Sequence, residues 1–196
     1  MTGHFAFFVG AAFEQKFQTA FHIALYVFFF FLGAFFSNLM VEIYSRVREN
    51  LIYVFPTIVE AVILLVIAFS SDYLMSVNPD IIAFSLLFSM GMQNALVTRI
   101  SNAVVRTTHL TGLFTDMGIE FSQLFFYKNR RHKSRLLKSI RLRLTIIWMF
   151  FAGGIVGGLL YGSFGMKSLL FGSVLLLLGL LYDFMKIRFL LLKRKS

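Results

Sequence analysis

Five apolar runs take up more than half of this chain: residues 20 to 43, 51 to 71, 80 to 98, 142 to 163 and 168 to 187. A helix needs about 20 apolar residues to cross a hydrocarbon core of roughly 30 Å, and each run is close to that length. A soluble globule is excluded, because 58% hydrophobic and 14% charged residues, with 26 phenylalanines among 196, would leave more apolar surface than such a fold can bury. The runs lack the period-two alternation and closely spaced turns of a membrane β-barrel. The expected fold is therefore an all-α membrane protein, a polytopic helical bundle of about five full spans with no soluble domain between them.

Charge orients the spans. The net charge of +10 would suit nucleic acid, but its distribution argues for topology and against a nucleic-acid partner. Eight Lys or Arg residues without an acid lie between Lys128 and Arg143, and five more fall between Lys186 and Lys195. Both are where the positive-inside rule expects a cytoplasmic loop and tail. Arg46 and Arg48 place residues 44 to 50 inside, and a short loop holding Asp72, Asn78, Pro79 and Asp80 lies outside. Arg99 and Arg106 lie inside again, so the segment from Thr111 to Tyr127 starts and ends on one side, as a re-entrant or interfacial helix. Residues 162 to 167 form an external turn, and the C-terminus is cytoplasmic.

A repeat runs through this pattern. Thr2-Gly3-His4-Phe5 reappears as Thr111-Gly112-Leu113-Phe114, each ahead of a membrane-length span. Within those spans Gly33 and Ser37 match Gly153 and Gly157, small residues four apart that let helix backbones approach closely. The first span of each pair runs inward in one copy and outward in the other, which predicts an inverted 3+3-type repeat with two short Thr-Gly helices. The first repeat is expected over residues 1–75 and lacks its opening span, the second over 76–192, and a basic tail over 193–196. Residues 1 to 13 lack the positive start of a cleavable signal peptide.

Two further stretches, Phe88-Ser89-Met90-Gly91-Met92-Gln93-Asn94-Ala95 and Thr107-Thr108-His109-Leu110-Thr111-Gly112, resemble the signatures of the YoaK-like bacterial inner-membrane proteins. The resemblance extends over nearly the whole chain, except that the family has a span ahead of a Thr-Gly-Asn motif where this chain has His4. It implies a multi-pass protein of the bacterial cytoplasmic membrane. The family is a domain of unknown function, so it implies no substrate, reaction or cofactor.

Candidate site residues follow from the expected architecture. In carriers built from inverted repeats, substrates bind near the midplane, where interrupted helices offer free backbone groups. Thr2 and Thr111 would cap the two short helices, and Gly3 and Gly112 would allow a ligand or a neighbouring helix to come close. Glu60 lies within an apolar run, one turn after Pro56, where a carboxyl is costly and is expected to face protein or a polar cavity. Asp116 and Glu120, four apart on one helix face, would not both ionise if buried, whereas on an exposed face they would pair with the basic segment. Glu60, Asp116 and Glu120 are thus the candidates for proton coupling. Gln93, Asn94 and Thr108 complete the substrate-binding set, with helix packing as the competing role for the amide pair.

No cysteine is present, and His4, His22, His109 and His132 show no ligand spacing, so no metal or other cofactor is expected. No Ser-His pair or phosphate loop points to an enzyme. The expected function is a carrier or channel-like transporter of a small polar or anionic solute, with proton coupling through the carboxylates. The alternative is a non-transporting scaffold whose basic loop docks acidic lipids or a cytoplasmic partner. The expected partners are the lipid bilayer and an unidentified small solute. A homo-oligomer is one way to close a site that lacks one span.

Overall fold

The computed structural model describes residues 2–45, 53–100, 110–127 and 129–193, and among them the secondary structure is entirely helical. Seven helices follow in order: α1 (Thr2–Phe13), α2 (Phe17–Ser45), α3 (Val54–Val77), α4 (Pro79–Ile100), α5 (Leu110–Phe126), α6 (Arg130–Phe164) and α7 (Leu169–Lys193). Four stretches are long and apolar enough to cross a membrane: Phe17–Ser45, Val54–Val77, Pro79–Arg99 and Arg130–Lys186. The fourth comprises two helices, α6 and α7, joined by a 3-10 turn at Gly165–Ser168. The expected runs 20–43, 80–98 and 142–163 fall inside α2, α4 and α6, while the run 51–71 is α3 from residue 54 onward and the run 168–187 is α7 from residue 169 onward.

Local chemistry explains where the helices stop. Asn78 alone separates α3 from α4: it is extended (φ −163°, ψ 102°), as a residue before proline must be, and its Oδ1 accepts from the Asp80 amide at 3.0 Å. Pro79 then occupies the first position of α4, where its missing amide costs nothing. The expected outer loop around Asp72 is therefore corrected to a one-residue turn, with Asp72 inside α3. Pro56 is likewise in the first turn of α3, so its missing donor is one that lacks an intrahelical partner anyway. Gly165, at φ 57° and ψ −139°, takes a conformation open only to glycine and ends α6. The basic segment expected as a loop is also corrected. From Arg130 onward it is the first part of α6, started by the Asn129 side chain accepting from the Arg131 amide at 3.0 Å. Leu, Lys and Arg are good helix formers, and without proline or glycine nothing there interrupts the helix that follows.

The packing is inside-out relative to a soluble bundle. On α2 the buried residues are Ala20, Gly33, Ser37, Met40 and Val41, while Phe21, Phe28, Phe31 and Phe35 are exposed. Small and polar side chains thus face the neighbouring helix, and large apolar ones face outward. The most extensive contact is between α2 and α4, which run in the same direction, with His22 beside Asp80 at one end and Glu42 beside Arg99 at the other, and cross where Gly33 meets the Phe88 backbone and Gly91 meets the Phe30 backbone. A Cβ at either glycine would overlap the facing carbonyl oxygen. Phe29 and Phe84 stack beside this crossing with centroids 4.6 Å apart. α3 packs on both α4 and α7, and the buried Ser173 hydroxyl donates to the Ala61 carbonyl at 3.0 Å.

The two short helices form hairpins with the helices that follow them, α1 with α2 and α5 with α6. These hairpins turn at opposite ends of the bundle. His22, near the start of α2, lies 3.4 Å from Asp80 in the α3–α4 turn, so the α1–α2 turn is at that end. Tyr161 and Phe164, at the end of α6, line a hollow with Ser71, Asp72 and Met75 near the end of α3, so α6 finishes at the same end. The α5–α6 turn, at the start of α6, is therefore at the other end. There Arg99 also pairs with Glu42 at 2.8 Å, near the ends of α4 and α2.

Candidate functional site

Polar side chains held inside an apolar bundle are the candidates for function, and the structure divides them between two places. The first is the interior shared by α2, α3, α4 and α7. Glu60 is only 7% exposed, on the face of α3 that also buries Thr57, Ala61, Ile67, Ala68 and Ser71. That face exists because small and polar residues recur every three or four positions, whereas Phe55, Ile58, Val62, Val66 and Phe69 point outward. Oε2 of Glu60 is buried without a hydrogen-bond partner among the described residues, and so are the hydroxyls of Ser37 on α2 and Ser89 on α4. Thr57 does not join them, because its hydroxyl donates to the Tyr53 carbonyl at 2.8 Å. Gln93 and Asn94 are half-buried on α4, and the Asn94 carbonyl accepts from the Thr98 hydroxyl at 2.7 Å.

The second place is the α5–α6 hairpin. Arg143 donates to Asp116 at 2.7 Å and to Glu120 at 3.2 Å, while the Ser139 hydroxyl donates to Glu120 at 2.6 Å. A planar guanidinium with its donors in a fixed fork suits this double engagement. Of the two arrangements the sequence allowed, the geometry is the pairing with the basic segment. Tyr127 stacks on His132 at 5.0 Å, so the contacts match 116 with 143, 120 with 139 and 127 with 132 in one uniform antiparallel register.

The expected site residues are thus not all brought together. Asp116 and Glu120 belong to the hairpin, and Glu60 belongs to the interior that α3 shares with α4 and α7. Thr111 is exposed, and as the second residue of α5 it lies in the first turn and not at the cap expected of it. Gly112 is half-buried beside it. Thr2 and Gly3 open α1 in the same way, so Thr2 too is within a first turn. Thr108 lies outside the described residues. Gly33 and Ser37 are buried in the α2–α4 contact, but the positions matched to them, Gly153 and Gly157, have nothing within 4 Å of an added Cβ among the described residues. The sequence reading missed Gly91 as a packing residue and Arg143 as the bridge. Gly91 was legible only as a lone glycine, and Arg143 only as one of eight cations.

A protein-family model, described as a protein of unknown function (DUF1275), matches residues 1–182. The chain belongs to the DUF1275 family. No curated protein and no solved structure matches it. Nearly every residue discussed above lies within the DUF1275 match, which leaves out only the end of α7 and the basic tail.

Proposed function

We propose that this DUF1275 chain is a carrier in the bacterial inner membrane for a small polar or anionic solute, coupled to protons through Glu60. The single observation behind this reading is Glu60 itself, a nearly inaccessible carboxyl within an apolar helix, with one oxygen lacking any hydrogen-bond partner among the described residues. A carboxyl in such a place is costly to keep for packing alone, since an apolar side chain of its size would fill the same space without that cost. A group that takes up a proton on one side of the membrane and releases it on the other has reason to be there. Ser37 and Ser89 add two more hydroxyls inside the same bundle without a partner among the described residues.

The arrangement of the hairpins supports the inverted repeat on which this reading draws. His4 on α1 lies edge-on to Tyr26 on α2, with ring centroids 6.1 Å apart. The sequence repeat matches His4 with Leu113 and Tyr26 with Ile146. The uniform register of the second hairpin, carried one turn further, sets that same pair opposite each other, and Leu113 is buried. Two hairpins of like register that turn at opposite ends of a bundle are what an inverted repeat would produce. The positive-inside rule favours a cytoplasmic side for the cationic turn of the second hairpin, and this reading gives the C-terminus the same side.

The test is flux into proteoliposomes holding the purified chain, driven by an imposed pH gradient and screened over small anions and polar solutes. Solute uptake driven by the gradient is expected for the unchanged protein, with at least a tenfold loss in Glu60→Gln. A Glu60→Gln protein that stays folded and transports at the unchanged rate would remove Glu60 from the mechanism. Absence of flux of every solute and of protons from the folded, unchanged protein would remove the carrier itself.

A further inference from the structure

We infer that the first part of α6 binds the headgroups of anionic phospholipids, as part of a hairpin that lies at the membrane surface. Arg130, Lys133, Lys138 and Arg141 recur at intervals of three, five and three residues, which puts all four on one side of the helix over about 16 Å. With Ser134 and Leu137 they line a shallow groove. No acid lies within 4 Å of these four cations among the described residues. The acids nearest in the hairpin, Asp116 and Glu120, are both held by Arg143. Burial places Ser139, Ile140, Arg143 and Ile147 on the side that meets α5, so the cationic groove is turned away from that contact.

A second observation points to the same surroundings. At the turn of the hairpin, beside the stacked Tyr127 and His132, Phe125 and Phe126 are 84% and 82% exposed. Large aromatic side chains so exposed next to a cluster of cations form the pairing that seats a helix in the boundary between headgroups and acyl chains. The distance from matched positions to the turn agrees with this: Leu113 and Ile146 lie 13 and 16 residues from the turn ends of α5 and α6, whereas His4 and Tyr26 each lie nine from the turn ends of α1 and α2, so the second hairpin reaches further past that pair. The added length carries Phe125, Phe126, Arg130, Arg131 and Lys133. The turn of the first hairpin, at the other end of the bundle, holds only the Glu14–Lys16 ion pair at 2.7 Å. Only three residues after Arg141, α6 becomes apolar, so the anions within reach of the groove are lipid phosphates and not those of a soluble macromolecule. This inference does not depend on the carrier reading.

Native mass spectrometry of the full chain, released from micelles containing phosphatidylglycerol and phosphatidylethanolamine, tests it. The unchanged protein is expected to retain phosphatidylglycerol in preference. Changing Arg130, Lys133, Lys138 and Arg141 together to Gln should lower that retention at least tenfold. Removing four cations elsewhere, by Arg188→Gln, Lys193→Gln, Arg194→Gln and Lys195→Gln, should change it less than twofold. The pair Arg130→Lys and Arg141→Lys keeps the charge and should keep the lipid. Inorganic phosphate should compete no better than chloride at equal ionic strength. Helicity and gel filtration establish folding, and if the fourfold variant fails them, Lys133→Gln with Lys138→Gln should still lower retention at least threefold. Equal losses in the groove and tail variants, no loss in either, or displacement by phosphate would overturn the inference.

Discussion

Gly33 and Gly91 carry the most demanding local requirement in the molecule. Each faces a backbone carbonyl so closely that a methyl group has nowhere to go, and backbone atoms cannot move aside as a flexible side chain could. Gly33→Ala and Gly91→Ala are each expected to destabilise the fold by about 1–3 kcal/mol or more, read as lost helicity on heating or in denaturant. Gly153→Ala and Gly157→Ala, at the matched positions in α6, meet open space and are expected to cost nothing, or to gain up to about 1 kcal/mol from helix propensity. The sequence shows four small residues at two matched sites and treats them alike. The difference between them belongs to the neighbour, present beside α2 as α4 and without a counterpart beside α6 among the described residues. Glu60 is the opposite case: its position in an apolar run was plain from the sequence, and its burial with no partner for Oε2 among the described residues required the packing of α3.

Among the elements, the α5–α6 hairpin depends most on one side chain. Arg143 is 20% exposed and Glu120 14%, so removing the guanidinium leaves a mostly buried carboxylate with only the Ser139 hydroxyl among the described residues. Arg143→Gln is expected to weaken the hairpin by about 1–3 kcal/mol, seen as faster amide exchange through α5 while α2, α3 and α4 keep their protection. Arg143→Lys should recover only part of the loss, since one ammonium cannot reproduce the fork that holds both acids. The basic run reads as a loop in sequence because charge is the strongest topological signal there. It folds as helix because nothing in Arg130–Arg143 stops a helix that continues directly into an apolar run.

At the scale of the whole molecule, the arrangement of the hairpins has a direct consequence for topology. The chain has no cysteine, so single substitutions can report sidedness without background. Glu14→Cys, in the α1–α2 turn, and Arg131→Cys, beside the α5–α6 turn, are expected to react with a membrane-impermeant maleimide from opposite faces of sealed vesicles. Labelling of both from one face would contradict the opposed hairpins and the inverted repeat they support. The carboxylates the sequence offered as one coupling set are divided by this arrangement, because α5 packs on α6 while Glu60 lies in the α3 interface with α4 and α7.

What the sequence alone determined was everything that depends on the surrounding medium. Runs of about 20 apolar residues with few charges require helices in a bilayer, and Asn78-Pro79 and Gly165 punctuate them through backbone constraints carried by single residues. The short helices ahead of α2 and α6 were visible for the same reason, as Thr-Gly starts before long spans. Tertiary structure decided which of several equivalent cues is used: that Gly33 meets Phe88 while Gly153 meets nothing described, that Asp116 and Glu120 share Arg143, and that Glu60, Ser37 and Ser89 keep atoms without partners among the described residues. A single helix carries its own hydrogen bonds and its own fit to the membrane. Which of its faces is covered, and by what, is a property of pairs of helices and depends on contacts between residues far apart in the chain.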